Sequence, residues 1–552
     1  MTRSALHPTL VLFVLALWLT TVGNLPLWSA LLGLTEMHGF SALAALGALA
    51  MSLLALTWAC LCLLVWPRWR KPAGLLLLLT ATASSYFMQR YGVVIDPSML
   101  ANVAQTDSRE VWDLLSWTML PALLFGVVLP VGWLWTQPIR PVRTGKLILQ
   151  QAGSAILALL LALLLLWLTF QDLASLMRNH KSLRYMINPF NTAYALGRLS
   201  VGRAAQAQQA LQPLAEDARR IHPVNANADV NLGPLIVLVV GETARAANFG
   251  LGGYARDTTP QLRALQDEGN LVYYPEVQSC GTNTQTSVPC MFSHLGREAY
   301  QRNTLRLENL LDVLQRAGLA VLWLDNQSGC KGVCDRVPQF QTSKLNLPDL
   351  CGPFGCFDEV MLRVLPEQLE RLDAARRARG TIVVLHQMGS HGPAYFKRSP
   401  PAFKRFTPEC TSNALQDCQP DQLVNTYDNS IVYTDHFLAE TVRWLKRQPE
   451  QRPTALLYAS DHGESLGEKG LYLHGMPYSM APVEQTHVPM LMWLSPALQQ
   501  QRSWQMDCLR AQASKPWSHD NWFHTVLDLS GVTTQVADDQ RNLLAACQRT
   551  AH

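Results

Sequence analysis

Residues 234–243 read P-L-I-V-L-V-V-G-E-T. A short, unbroken apolar run rich in β-branched side chains predicts a strand buried on both faces of a parallel sheet. Glu242 follows at its end, where open α/β sheets gather their ligands. Taken alone, Glu242 admits two readings: a ligand-binding carboxylate, or the cap of a following helix.

The pattern recurs downstream. Leu319 to Leu324 reads as a strand ending in Asp325-Asn326, and Thr381 to Leu385 as another, followed by His386 and the turn G-S-H-G-P at 389–393. Ala455 to Tyr458 is a third, followed by S-D-H-G-E-S at 460–465, and Val488 to Leu494 a further one. Helical patterns fill 257–268, 304–317, 358–377, 426–446 and 521–529. This alternation predicts an α/β fold over residues 231–552, a mostly parallel sheet covered on both faces. Glu242, Asn326, His391 and Asp461-His462 would gather at one edge of it. Asp461 and His462 offer an oxygen and a nitrogen donor suited to Zn²⁺. His474, in L-H-G, is near enough in sequence to return to the same place. His391 lies in a Gly/Pro turn rather than on an apolar face, which predicts an exposed imidazole.

Between the first two strands lies C-G-T-N-T-Q-T-S-V-P-C, residues 280–290. Four hydroxyls, Thr282, Thr284, Thr286 and Ser287, sit inside a pair of cysteines. The stretch reads either as a disulfide-stapled surface turn or as a nucleophile held rigid beside a group that lowers its proton affinity. Ten of the 12 cysteines lie beyond residue 279, in the close pairs 280/290, 330/334, 351/356 and 410/418 and a looser pair 508/547. Such pairing predicts an oxidising compartment. A net charge of +4, with no zinc-finger spacing and no basic-aromatic repeat, gives no reason to expect nucleic acid.

The first part of the chain is different. Apolar segments at 9–31, 41–66, 72–89, 114–135 and 147–170 approach the length of membrane-crossing helices, the first interrupted by Gly23, Asn24 and Pro26. P-R-W-R-K at 67–71 and Arg140, Arg143 and Lys146 assign those two loops to the cytoplasm. Five spans from a cytoplasmic N-terminus place the cysteine-rich part outside, as the cysteines independently require. Residues 1–170 thus form a transmembrane domain. Residues 171–230 form a connector, first an amphipathic helix through Leu173, Leu176 and Leu183 that lies in the interface, then a polar linker. In the outward loop, Asn102, Thr106 and Glu110 recur every four residues and would share one helix face, either solvated or turned to a polar lipid head group.

The motifs G-E-T-A-R-A-A-N-F, C-G-T-N-T-Q-T-S-V-P-C-M-F-S, K-G-V-C-D-R, G-S-H-G-P and S-D-H-G-E-S-L-G-E with L-H-G resemble, in order, those of lipid A phosphoethanolamine transferases, in the alkaline phosphatase and sulfatase superfamily. The resemblance spans nearly the whole chain. It implies an inner-membrane protein, expected to be monomeric, with five helices and a periplasmic α/β/α catalytic domain. It implies that Thr284 is the nucleophile and that Glu242, Thr284, Asp461 and His462 bind the main zinc. Lys331, His391 and His474 would contact the phosphoryl group, with the two histidines and Glu464 near a second zinc. Asn102, Thr106 and Glu110 match residues around the donor head group, and Ser328 falls at a substrate-pocket position. The implied reaction moves phosphoethanolamine from phosphatidylethanolamine to a lipid A phosphate through a covalent threonine adduct, releasing diacylglycerol. The added ammonium group would weaken attraction for cationic peptides such as polymyxin. The rivals are transfer to an inner-core sugar of lipopolysaccharide, phosphoglycerol transfer to an envelope glycan, and a non-enzymatic membrane sensor that retains the fold.

Overall fold

Along Leu235–Gly241, Ile236, Leu238 and Val240 enter one apolar core, and Leu235, Val237 and Val239 enter another on the opposite face. A strand's side chains alternate, so one continuous apolar run builds two cores. The computed structural model describes residues 4–34, 40–105, 108–207, 209–221, 233–352 and 355–548, with the backbone alone for 40–42, 108–110, 172 and 203–207. It divides into two compact units: Met1–Leu100 with Leu115–Val201, and Ala101–Leu114 with Gly202–His552.

The second unit holds a seven-stranded sheet: β1 Leu235–Gly241, β2 Leu271–Tyr274, β3 Ala320–Asp325, β4 Gln339–Gln341, β5 Thr381–His386, β6 Thr454–Ser460 and β7 Met490–Leu494. The order is β2-β7-β6-β1-β5-β3-β4, and β7 alone runs against the others. The sheet is therefore mostly parallel, and its catalytic-side ends share one edge. Helices Thr284–Met291, Leu310–Arg316 and Trp522–Ser530 cover one face, while Glu359–Glu370 and the long Pro420–Lys446 cover the other. The outer strands β2 and β4 had no distinct signal, and the helix expected over 358–377 is broken between Glu370 and Ala374. There Asp373 caps a new helix by accepting from Arg376 N at 2.8 Å. All five expected cysteine pairs are bonded: 280/290, 330/334, 351/356, 410/418 and 508/547.

In the first unit, four described helices are long and apolar enough to cross a membrane: Pro8–Leu32, Leu43–Leu64, Met119–Thr136 and Thr144–Leu168. The remaining segment of the expected five falls on Arg70–Tyr91, 22 residues long. Its second half carries Thr80, Thr82, Ser84, Ser85, Gln89 and Arg90, which makes it the most polar of the set. The first span is interrupted, as expected, by a short turn over Val22–Asn24. Asn24 is buried there. Its side-chain nitrogen donates to Leu19 O and Asn188 O, both at 2.8 Å, and its oxygen accepts from Asn188 N at 2.8 Å. Asn188 in turn donates from Nδ2 to Gly23 O at 3.0 Å. The amphipathic connector forms helix Phe170–Asn179 and a turn over Lys181–Met186, and Leu173, Leu176 and Leu183 pack onto Leu27, Leu31, Leu49 and Leu53. Of the polar linker, Arg219–Arg220 pairs with Val532–Thr533, and 222–230 lie outside the described residues.

Candidate functional site

The strand ends bring Glu242, Thr284, Asp461 and His462 together, all of them buried. Glu242 leaves β1, and Asp461 and His462 leave the neighbouring β6. Thr284 is not on a turn, as its surroundings suggested, but is the first residue of helix Thr284–Met291. Asn283 caps that helix, its side chain accepting from Thr286 N at 3.0 Å. The Cys280–Cys290 bond therefore ties the approach of the chain to the helix itself.

Of the four hydroxyls, Thr284 Oγ1 donates to Glu242 Oε2 at 3.1 Å and lies 3.4 Å from His462 Nε2. Thr282 is directed to Met476 O at 2.6 Å, and Ser287 holds Asp461 O. Glu242 also accepts from Gln327 Nε2 at 3.1 Å and from the Thr243 hydroxyl. Asp461 Oδ1 accepts from Thr243 N at 3.2 Å and His462 N at 2.8 Å, whereas Oδ2 is buried without a hydrogen-bond partner. His462 Nδ1 donates to Gly463 O at 2.9 Å, so a neutral ring presents its lone pair at Nε2. That nitrogen is 3.4 Å from both Glu242 Oε1 and Asp461 Oδ2.

Among the described residues, Glu242, Asp461 and His462 form one group of side chains able to hold a metal ion, their ligand atoms within 4.8 Å of one another. Its electrostatics fit a cation. Burial, and then the charge of Glu242, push Asp461 up to about 7. Burial also opposes ionisation of Glu242, but the His462 hydrogen bond and charge overcome it and hold Glu242 below the usual carboxylate range. His462 is pushed up to about 10: burial works against its charge, and the two carboxylates prevail. Two carboxylates and an imidazole thus compete for one proton in a dry site. A divalent cation satisfies all three, and the orphaned Asp461 oxygen fits it.

Around this group, Ser328 N and Oγ both donate to Gln327 Oε1, at 2.6 and 2.8 Å, and Lys331 Nζ donates to Ser328 Oγ at 2.8 Å. A chain of side chains thus runs from Lys331 to Glu242. Lys331 has φ +53°, a backbone state uncommon for side-chain-bearing residues, within the loop closed by Cys330 and Cys334. The His474 ring stands 4.3 Å from that of His462 and 5.6 Å from that of His391. Its Nδ1 lies 3.3 Å from Glu464 Oε2. Burial and then the charge of His462 push His474 down to about 3, while burial pushes Glu464 well above the carboxylate range. His391 is 9 % exposed, not the open imidazole its turn suggested, because that turn folds back onto Glu242. Ser390 N donates to Glu242 O at 3.0 Å, and Met388 N and Gly389 N donate to Asp358 at 2.8 and 3.0 Å.

Asn326 does not join the metal group; it donates to Asp358 Oδ1 at 2.8 Å and so braces the same turn. Asn102 lies in the last turn of helix Pro97–Val103, and Glu110 belongs to a separate helix, Ser108–Leu114, so the expected single helix face is not continuous. Thr106 lies outside the described residues, as does the side chain of Glu110. Sequence reasoning missed Asp358, which stands at the start of the helix expected over 358–377. It also missed His519, which accepts from Cys280 N at 3.1 Å and donates to Ser460 O at 2.9 Å. No apolar strand precedes His519, so no signal marked it.

Residues 234–532 match the family model described as Sulfatase, and residues 53–204 match the one described as Phosphoethanolamine transferase EptA/EptB. The chain is 42% identical over 486 residues to the phosphoethanolamine transferase EptA of Escherichia coli K12, covering 87% of this chain and 86% of that protein. It is 39% identical to the phosphatidylethanolamine transferase Mcr-1 of Escherichia coli, covering 77% and 78%. The integral membrane lipooligosaccharide phosphoethanolamine transferase A of Neisseria meningitidis superposes with a TM-score of 0.92 at 36% identity, covering 99% of this chain and all of that one. The chain belongs to the lipid A phosphoethanolamine transferase family, within the alkaline phosphatase and sulfatase superfamily, and is a multi-pass membrane transferase with a periplasmic soluble unit.

Proposed function

We propose that the enzyme takes phosphoethanolamine from phosphatidylethanolamine, holds it on Thr284, and passes it to a phosphate of lipid A. The Thr284 hydroxyl, beside Glu242 and His462 of the Glu242–Asp461–His462 group, carries this reading. The relative Mcr-1, a phosphatidylethanolamine transferase, is the precedent for the donor.

Glu242, Thr284, Asp461 and His462 would hold a zinc ion, which when bound lowers the proton affinity of a hydroxyl ligand and polarises a phosphoryl oxygen. Thr284 Oγ1 forms the new bond to phosphorus, and its proton passes to the His391–His474 side. The bond from phosphorus to the glycerol oxygen breaks. That oxygen gains a proton from the His391–His474 side and leaves as diacylglycerol. Lys331, held by Ser328, supplies charge to the phosphoryl oxygens. In the second half, an acceptor phosphate oxygen attacks the adduct, and Thr284 leaves as the alkoxide and is reprotonated. Asn102, Thr106 and Glu110 are proposed to hold the donor head group. Glu464 keeps His474 oriented, and with His391 and His474 it would hold a second zinc that supplies positive charge to phosphoryl oxygens. Five spans with a cytoplasmic N-terminus, a connector at 171–230 and a monomeric enzyme complete the proposal. The added ammonium group would lower susceptibility to polymyxin.

The test is incubation of the full chain with labelled phosphatidylethanolamine and lipid A, followed by mass analysis of protein and lipid. The expected result is a phosphoethanolamine increment on Thr284, then on lipid A, both lost in Thr284→Ala. A glycerol-bearing increment, or transfer to a core sugar, would replace the donor or acceptor assignment. Label on lipid A with the Thr284→Ala enzyme would remove the nucleophile.

A further inference from the structure

The segment Ala101–Leu114 lies in sequence between membrane helices, yet it belongs to the unit that carries the site. Asp113 is where it is held. Lys397 Nζ donates to Asp113 Oδ1, Arg398 Nη2 lies 3.3 Å from Oδ2, and Asn413 Nδ2 donates to the Asp113 carbonyl at 2.8 Å. The side chains of Asp113, Lys397 and Arg398 are only 14, 10 and 5% exposed. Arg398 also reaches inward, its Nε donating to His391 O at 2.7 Å. One guanidinium therefore joins the carboxylate of the segment to the backbone of the site histidine.

Ion pairs this far out of water are poor sources of net stability, because desolvation offsets the attraction. What such a pair does supply is direction. The planar Arg398 fork holds two acceptors in fixed relation, and neither can shift without leaving a guanidinium N–H unpaired in a dry place. The two elements so joined are the segment carrying Asn102 and Glu110 and the turn carrying His391, which the proposed reaction requires to meet one head group.

We propose that Asp113 is a positioning residue for the donor: through Lys397 and Arg398 it registers the Ala101–Leu114 segment against His391, so that a phosphoethanolamine head group meets both together. This rests on the donor and Thr284 reading above. Loss of Asp113 weakens capture of the donor and leaves the chemistry at Thr284 intact.

The test uses the full chain in mixed detergent micelles, measuring diacylglycerol release as the mole fraction of phosphatidylethanolamine is varied. Asp113→Asn keeps the shape and removes the charge. The half-saturating donor fraction is expected to rise at least about tenfold, as for loss of one partner of a buried charge pair. The maximal rate should stay within about twofold, the pattern of lost binding rather than lost transition-state stabilisation. Asp113→Glu should recover most of the affinity. Arg398→Lys, which keeps the charge but not the fork, should raise half-saturation as well, which covers the case where Asp113→Asn folds poorly. An unchanged half-saturation in Asp113→Asn and Arg398→Lys overturns the proposal. So does a fall in maximal rate and thermal midpoint with half-saturation unmoved, which marks a structural role. Absence of diacylglycerol release by the unaltered enzyme removes the donor reading and this proposal with it. Release by the unaltered enzyme and equally by Asp113→Asn removes this proposal alone.

Discussion

Gly389 is the position where one added carbon should do the most measurable harm. Its φ is +49°, and a Cβ built there would stand 2.6 Å from Glu242 O, 3.1 Å from Glu242 N and 3.2 Å from Glu242 Cβ. Left-handed backbone costs a residue with a side chain about 1–2 kcal/mol. Overpacking against backbone that cannot swing aside adds about 1–3 kcal/mol. Gly389→Ala should therefore cost about 2–5 kcal/mol in all. The strain has few exits. Gly389 N is held by Asp358 at 3.0 Å and Ser390 N by Glu242 O at 3.0 Å, so relief moves either the Glu242 carboxylate or His391. A displacement on the order of 1 Å in such a site lowers the rate on the order of 100-fold. The assay is diacylglycerol release from labelled phosphatidylethanolamine by the full chain in micelles, alongside thermal unfolding. Gly253→Ala is the control: its φ is +92°, but nothing lies within 4 Å of the added carbon, so it should show the backbone cost and full turnover. Wild-type turnover in Gly389→Ala, or an equal loss in Gly253→Ala, would refute the crowding argument.

Replacing Cys280 and Cys290 by serine opens a loop with a sequence separation of 10 and should destabilise the soluble unit by about 3 kcal/mol, read from denaturant unfolding under non-reducing conditions. Glu242→Gln keeps the shape of the site but removes the carboxylate that bonds both Thr284 and Gln327. Metal analysis should find zinc lost together with the Thr284 adduct, and a variant with full zinc content would contradict the ligand assignment. The buried pair His386–Asp325, at 2.9 Å, gives a pH signature. Burial lowers His386, but Asp325 overcomes it and raises the imidazole above 6.5; burial raises Asp325, but His386 overcomes it and holds the carboxyl below 3.8. The stabilisation is thus whole between 3.8 and 6.5, is lost as pH rises through the raised histidine value, and is lost as pH falls through the depressed carboxyl value. The gap in thermal midpoint between wild type and His386→Gln should be widest inside that window, and a gap that widens above neutral pH would contradict it.

The fold was legible wherever burial left a one-dimensional trace. The core strands β1, β3, β5 and β6 are unbroken apolar runs, and the groups following them had to share an edge once the sheet was parallel. Gln339–Gln341 left no such trace because edge strands are polar. Thr284 could be chosen from its neighbours only by resemblance, since nothing along the chain says which hydroxyl a helix N-terminus will turn towards Glu242. The depth of His391 was misread for a related reason. A Gly/Pro turn looks solvent-facing until one knows that its amides are taken up by Asp358, 30 residues away for Met388. The expected span at 72–89 is the one not among the four helices apolar enough to cross a membrane, because its helix, Arg70–Tyr91, carries serines and threonines such as Ser84, which bonds Thr192 at 3.3 Å.

The amide pair of Asn24 and Asn188 bears on how the membrane unit is built. The two residues are 164 positions apart, so the first span is synthesised long before its polar partner exists. In hydrocarbon, each unmatched polar group costs several kcal/mol. During biogenesis that span would hold its turn at Val22–Asn24 against water, lipid head groups or the insertion machinery until the connector arrives. Closure of the bundle is then coupled to completion of the segment that leads to the soluble unit, and a nascent chain would acquire a settled membrane core only as its catalytic part begins to emerge.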